Sequence, residues 1–272
     1  MNAYADLTRI KSRLNITGTG DDTDLTMLLN AASRVIEKVT RRHFYLETAT
    51  KYFDGVKPPL DIEELISITT MKLDFDGNTV FEETMQTTDY ILKPMNKFPK
   101  TFIEMAYQGS YASFADDIPK GVEIVGGWGY AESSTPYVSS GGTVTVGDGS
   151  ATSVTASDGT LFAVGQTILA GTEQMYISAI SSNTMTCTRA VNGTTGAAQA
   201  SASASIYNYP EPVVEACLIQ AMRWWKRKDT AFQTQVASAN MGGISTVAKY
   251  ERLDPDVVVM LTPYIDRGSL FI

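Results

Sequence analysis

Histidine occurs once in these 272 residues and cysteine twice, and the two scarcities together exclude much of the usual chemistry. A lone imidazole, His43, cannot build a histidine-rich metal site or a Ser-His-Asp triad without unusual substitutes. It stands where a helix ends beside two arginines, which reads as a structural or surface position. Cys187 and Cys217 fall in segments of opposite character, so neither a zinc-ligand spacing nor a disulfide framework is present. Both read as small core residues in a chain made in a reducing compartment.

Long apolar runs are also missing. None approaches the roughly 18 residues of a membrane span, and the opening MNAYADLTRIKSRL is amphipathic, without a signal-type apolar segment. The expectation is a protein made and used without secretion through a signal peptide, with no membrane partner. Cations are in deficit: 22 Lys and Arg stand against 30 Asp and Glu, a net charge of -8 with a pI near 4.8. A broad basic surface gripping nucleic acid is thereby excluded, whereas an acidic wall that DNA slides past is compatible.

Nucleotide and metal motifs are lacking too. There is no GxxxxGK[ST], and Gly18-Thr19-Gly20 follows no strand and lacks the third glycine of a dinucleotide loop. DFDGN at 74–78 resembles the start of a calcium loop, but its glycine comes too early and no glutamate follows at the twelfth position, so it reads as a hairpin turn. Asn192-Gly193-Thr194 matches a glycosylation acceptor without a secretory signal and reads as a tight turn. No nucleophile, base and orienting group assemble, which makes an enzyme the weakest class and leaves no cofactor to expect.

What is present is clear periodicity. Leu7, Ile10 and Leu14 share one helical face, and Leu25, Leu28, Leu29, Ala32, Val35, Ile36 and Val39 recur at steps of three and four. The second helix follows GTGDDTD, where Asp21, Asp22 or Thr23 can cap it, and ends in TRRHF with Arg41 and Arg42 at the negative end of the dipole. From Phe44 the period becomes two. ETATKYFDG, ISITTMKL, TTDYILKP, KTFIEMAY and GVEIVGGW read as antiparallel strands separated by Pro- and Gly-bearing turns.

After WGY the composition changes abruptly. Residues 134–208 hold four charged side chains, Asp148, Asp158, Glu173 and Arg189, against the other 48 of the chain's 52, and 45 of these 75 residues are Ser, Thr, Gly or Ala. GQTILAG, EQMYISAI and TMTCTRAV nevertheless look like strands, with Ser182-Asn183 and Asn192-Gly193 as turns, so a small all-β module is expected. PEPVVEACLIQAMRWWKRKD then restores a helix, with Val214, Cys217, Leu218, Ala221 and Trp225 on one side and Pro212 in its first turn. Strand, WGY and proline-led helix read as one unit into which 134–208 is inserted at a loop, where insertion is best tolerated. LDPDVVVMLTPYI supplies Asp254 as cap and Pro255 at the first turn of a last short helix.

Two basic clusters, Arg34/Lys38/Arg41/Arg42 and Arg223/Lys226/Arg227/Lys228, suit helix dipoles and solvated faces, and could equally dock an acidic partner or brush phosphates. Trp224 and Trp225 point about 100 degrees apart on a helix, so one can serve the core while the other meets a partner.

The order of LTRIKSRLNI, DDTDLTMLLNAASRVIEKVTRRHF, VEIVGGWGY, PEPVVEACLIQAMRWWKRKD and LDPDVVVMLTPY, with the insertion set aside, resembles the phage head-tail adaptor (connector) family of long-tailed bacterial viruses. The resemblance covers most of 3–133 and 209–264. It implies an α+β protein with a helical body from N- and C-terminal helices, short antiparallel strands and an inserted small all-β domain. Divided accordingly, 1–133 and 209–264 form the adaptor body, 134–208 the insert and 265–272 a tail.

By the same resemblance the protein is a structural virion component at the capsid-tail junction, made in the bacterial host cytoplasm. It would form a ring, usually of twelve subunits, between the portal and a stopper (head-completion) or tail-tube protein, with DNA passing through unbound. Its portal-binding segment would hold Tyr264, Ile265, Arg267, Leu270, Phe271 and Ile272. Subunit or partner contacts would fall on Arg223, Trp224, Lys226, Arg227, Arg41 and Arg42. The insert departs from typical members and is expected to face outward, removable without loss of the fold. The rival reading is a tail or neck adhesin whose β module binds a host surface or glycan.

Overall fold

A computed structural model describes residues 2–228, 235–238, 246–249 and 253–266. It joins α-helices to antiparallel sheets, as an α+β chain. Helix α1 (Leu7–Leu14) is capped by Asp6, whose carboxylate accepts the Arg9 amide, and it closes at Asn15 in the left-handed conformation. Helix α2 (Asp22–Thr40) begins in the acidic run, though not by the cap expected there. Asp21 makes no capping hydrogen bond with its side chain, and Asp22 turns instead to Lys11 at 2.5 Å, tying α2 to α1. Its buried face carries Leu25, Leu29, Ala32, Ser33 and Ile36 at helical spacing.

Strands β1 (Glu47–Phe53), β2 (Leu60–Leu73), β3 (Glu83–Thr84), β4 (Tyr90–Lys93), β5 (Lys100–Met105) and β6 (Val122–Trp128) form one sheet in the order β1-β6-β2-β5-β4, with β3 on the end of β2. Every pairing is antiparallel, and β6, between β1 and β2, matches Trp128 with Glu47 and Val122 with Phe53 and Leu73. The sheet core collects Leu65, Met71, Leu73, Phe114, Ile124 and Trp128. Trp128 is fully buried and donates its indole N-H to the Ala49 carbonyl at 3.0 Å.

Beyond it, Gly129 adopts φ +127, and a Cβ there would lie 2.2 Å from the Tyr45 carbonyl and 2.9 Å from the His43 ring. Gly129→Ala is therefore expected to destabilise by more than the roughly 1 kcal/mol of a simple backbone effect, read as a lowered urea midpoint with unchanged m. A variant as stable as the parent would show that this corner relaxes freely.

Strands β7 (Tyr137–Val146), β8 (Ser153–Ala156), β9 (Thr167–Ala170), β10 (Glu173–Ser181), β11 (Thr184–Thr188) and β12 (Gln199–Tyr207) close into a barrel, ordered β10-β11-β8-β7-β12-β9. The two-residue loop Ser182-Asn183 joins β10 to β11, with Ser182 at φ 55. Buried apolar side chains fill the interior, Val144, Val154, Ala156, Ile168, Ala170, Met175, Ile177 and Cys187 among them, so the barrel is packed and not a pore. Burial pushes the Cys187 thiol up to about 12 and that of Cys217 up to about 11, the behaviour of inert core thiols.

Helix α3 (Glu211–Arg227) returns the chain to α2, and α4 (Pro255–Leu261) packs on α3. Asp254 caps α4 through the Asp256 amide. Between them lies the two-stranded pair β13 (Gln235–Ser238) and β14 (Thr246–Lys249). On α3 the buried residues are Val213, Val214, Ala216, Cys217, Leu218, Gln220 and Ala221. Trp225, expected on that face, and Trp224 are both only half-buried at the edge of the helical core. The division into one inward and one outward ring does not hold, because the last turn of α3 runs past the buried core.

Candidate interaction surfaces

The barrel is seated on the helical body rather than tethered beside it. Its chain ends lie together, with the Asn208 amide donating to the Pro136 carbonyl at 2.9 Å. Tyr176, Val191 and Tyr207 are buried in the same cluster as Leu25, Ile36 and Cys217 of the helices. Aromatic rings run without a break from Tyr137 and Tyr207 in the barrel through Tyr209, Tyr4 and Phe44 to Tyr130 and Tyr264, neighbours lying 4.7 to 5.8 Å apart. Such pairs add roughly 0.5–1.5 kcal/mol each beyond their buried area.

Polar groups reinforce the joint. The Asn2 amide nitrogen donates to Asn192 at 2.7 Å, and its oxygen accepts from Thr167 at 2.9 Å. Asn192 donates to Gln174 at 2.8 Å, and Gln174 donates to the Leu46 carbonyl at 2.9 Å. Gly193 comes so close to β1 that a Cβ there would meet the Thr48 carbonyl at 2.0 Å. The Asn-Gly dipeptide marks a turn, as its composition indicates, and its side chain is built into the joint.

All four charges of 134–208 serve this local structure. Glu173 and Arg189, 0% and 5% exposed at their side chains, face each other in a two-pronged pair with both N···O distances 2.7 Å. Arg189 also donates to the carbonyls of Asp148, Ala151 and Ala197, and Glu173 accepts the amides of Ala190 and Ala197 at 3.0 Å. Burial raises the Glu173 carboxyl, but the Arg189 and amide hydrogen bonds outweigh it and hold the group below its ordinary range. Asp148 accepts the Ser150 and Ala151 amides at 2.7 Å, and Asp158 the Thr160 amide at 2.9 Å, each shaping a turn.

At the other end of α2 a second joint involves residues read as partner contacts. Arg41, exposed, ends α2 in the left-handed conformation. Arg42 turns inward: its guanidinium is 3.0 Å from Glu64 and 3.8 Å from Asp266, and it lies 5.1 Å from the centre of the Tyr130 ring. The Asp266 amide donates to the Thr40 carbonyl at 2.9 Å. Tyr264 is buried on Phe44 and Tyr130 and donates its hydroxyl to Glu132 at 3.0 Å. Tyr264 and Arg42 thus hold the chain's own C-terminal segment to α2 and the sheet. Ile265 is half-buried, and Arg267, Leu270, Phe271 and Ile272 lie outside the described residues.

Burial raises the Glu64 carboxyl from its ordinary value near 4.5 to about 7, with Arg42 opposing and Asp266 adding to the rise. Folding therefore tightens proton binding here, so the group's stabilising contribution is complete below about pH 4.5 and declines until about pH 7, by about 3 kcal/mol. Glu64→Gln is expected to flatten the pH dependence of urea stability across that window. An unchanged slope would place the titration elsewhere.

His43 sits in the same region, its ring 4.7 Å from Tyr45 and its Nε2 3.4 Å from the Trp128 carbonyl. Burial lowers its pKa, keeping the imidazole neutral as a packing group. On α3, Arg223 pairs with Asp254 at 3.1 Å, fixing α3 to α4, while Lys226 is exposed and Lys228 lies over the Trp225 ring. Arg227 is half-buried at the end of the same helix. The basic end of α3 therefore combines an internal tie with amines left at the surface.

The DFDGN turn carries the acidic group nearest to metal-ligand geometry among the described residues, with oxygens of Asp74, Asp76 and Glu82 within 4.8 Å. Asp74 is committed to the turn, accepting the Gly77 and Thr79 amides at 2.8 Å and the Asp76 amide at 3.2 Å. No helix among the described residues is long and apolar enough to cross a membrane.

Sequence reasoning found the motifs at α2, β6 and α3 but missed Glu64, Asn2 and Gln174 as joint residues. Glu64 is one acid in the run DIEEL, and nothing in the strand pattern distinguishes it from Glu63, which reaches outward to Lys51.

Residues 4–87, from the segment before α1 to the loop after β3, match the family of phage gp6-like head-tail connector proteins. The match supports the head-tail connector family over the stretch that carries α1, α2 and the first strands. No curated protein matches the chain.

Proposed function

We propose that the protein is a structural virion subunit of the head-tail junction, an adaptor that forms a ring between the portal and the stopper or tail proteins and lets DNA pass through its lumen. The observation that carries this is the connector-family match over 4–87, the stretch that builds the α1-α2 pair and its junction with the sheet. The net charge of -8 is consistent with a wall past which DNA slides without being held. In this reading the exposed amines at the end of α3 and the segment after Asp266 face neighbouring proteins, and no cofactor takes part.

Electron microscopy of the source particles with antibody against the barrel tests the location. Label confined to the capsid-tail junction is the expected result. Label at the tail tip or on fibres would overturn it in favour of an adhesin. Truncation after Asp266 tests the portal contact separately: the shortened chain is expected to keep its melting temperature, since the described segment is anchored through Asp266, and to lose binding to portal rings. Unchanged portal affinity would remove the terminal segment from that contact.

A further inference from the structure

The end of the sheet farthest from the helices has an unusual surface. It gathers the C-terminal end of β1, the loop after β2 and the segment before β6, because Phe53, Val122 and Leu73 lie abreast in the register. Hydrogen bonds lock these loops together: the Gly55 amide donates to the Ile118 carbonyl at 2.8 Å, the Lys120 amide to Asp54 at 2.8 Å and the Asp74 amide to the Gly121 carbonyl at 2.9 Å. The surface is therefore built and not a set of loose loops.

Apolar side chains project from it. Phe75 is 46% exposed and stacks on Tyr111 at 6.1 Å; Tyr52 is 46% and Val80 58% exposed. Around them stand the exposed carboxylates Asp54, Asp76, Glu82, Glu83 and Asp117. The exposed amines of the same end are already engaged, Lys57 with Asp116 at 3.5 Å and Lys120 over the Tyr52 ring at 4.1 Å. Such a surface repels phosphates and invites cations carried on an apolar or aromatic support.

The same chain carries that complement elsewhere. At the end of α3, exposed Lys226 and Lys228, the latter lying over the Trp225 ring, flank the half-buried Trp224 and Trp225. This end is tied through α4 and Tyr264 to Tyr130, two residues past the end of β6 opposite the acidic surface. Seven residues of β6 span about 23 Å between the acidic surface and the Tyr130 end.

We infer that the acidic aromatic end of the sheet is a docking surface for the basic, tryptophan-bearing end of α3 from a second copy of this chain. The contact is head-to-tail, so identical copies can repeat it and close into a ring. It deepens the connector reading above, yet it rests on the charges and exposures of this chain and is tested apart from the particle.

Full-length protein labelled with heavy nitrogen is mixed with unlabelled protein at high concentration and low salt, and joined by a zero-length carboxylate-to-amine crosslinker. Peptides of mixed label linking Lys226 or Lys228 to Asp76, Glu82 or Glu83 are the expected result. Absence of mixed-label peptides, or links that join other surfaces, would overturn the contact. The double charge reversal E82K/E83K is expected to cut the mixed-label yield about tenfold, the factor for 1.4 kcal/mol. Combining it with K226E/K228E is expected to restore the yield, and failure of that combination rejects the pairing even if copies associate. Loss of the crosslink alongside antibody label at the capsid-tail junction would reject this contact and leave the location standing; the opposite pair of results would do the reverse.

Discussion

Excision of residues 137–207, with Pro136 joined directly to Asn208, is expected to abolish cooperative thermal unfolding of what remains. The join itself asks little of the backbone, because the Asn208 amide already lies 2.9 Å from the Pro136 carbonyl. What the excision removes is core: Tyr176, Val191 and Tyr207 leave the helical cluster, and Val164 leaves its margin. Deleting one buried aromatic costs about 3–5 kcal/mol, so two aromatics and a valine approach the whole 5–15 kcal/mol by which domains are stable. The polar side of the joint fails as well, since Asn2 loses Thr167 and Asn192. Near-ultraviolet dichroism and the thermal transition provide the measurement. A sharp transition with native aromatic signals would bear out a removable insert.

Replacing Arg189 by Ala is expected to cost about 3–5 kcal/mol in urea unfolding, for a different reason. The variant leaves the Glu173 carboxylate with no exposure and without its guanidinium, and it frees the carbonyls of Asp148, Ala151 and Ala197 at once. Desolvation of Glu173 is then opposed by the Ala190 and Ala197 amides without the guanidinium. A double variant, Glu173→Gln with Arg189→Met, removes both charges and is expected to recover much of the loss, because an uncompensated buried charge is worse than none. If Arg189→Ala shifts stability by less than about 0.5 kcal/mol, as a surface substitution does, the pair is not a structural tie of the barrel.

The element order was legible from periodicity where side chains are large. Leu25, Leu29 and Ile36 announce α2 at any distance, and VEIVGGW announces β6, since burial of these residues outweighs competing local preferences. Strands β7, β8 and β12 were not legible. QASASASIY is made of residues with weak strand preference, and it is held extended by pairing with β7 and β9, contacts distant in the chain. The caps show the same division: Asp254 caps α4 as its position implies, whereas the acidic run before α2 holds Lys11 instead.

The interaction surfaces divide in the same way. Composition alone determined that 134–208 is poor in charge and that histidine and cysteine chemistry is scarce; the resemblance to head-tail connectors is carried by the quoted segments in their order. Only the tertiary structure decided where the remaining charges and rings point. Tyr264 and Arg42 look like surface groups in a list of residues, yet the fold draws one under Phe44 and Tyr130 and the other onto Glu64. Glu173 and Arg189, two charges among Ser and Thr, become a buried pair because β10 and the turn after β11 bring them to 2.7 Å. Local pattern sets which residues can be buried, because period follows from helix and strand geometry. Which of them are buried together is settled by packing between segments far apart in sequence, and that is where the barrel became part of the body's core.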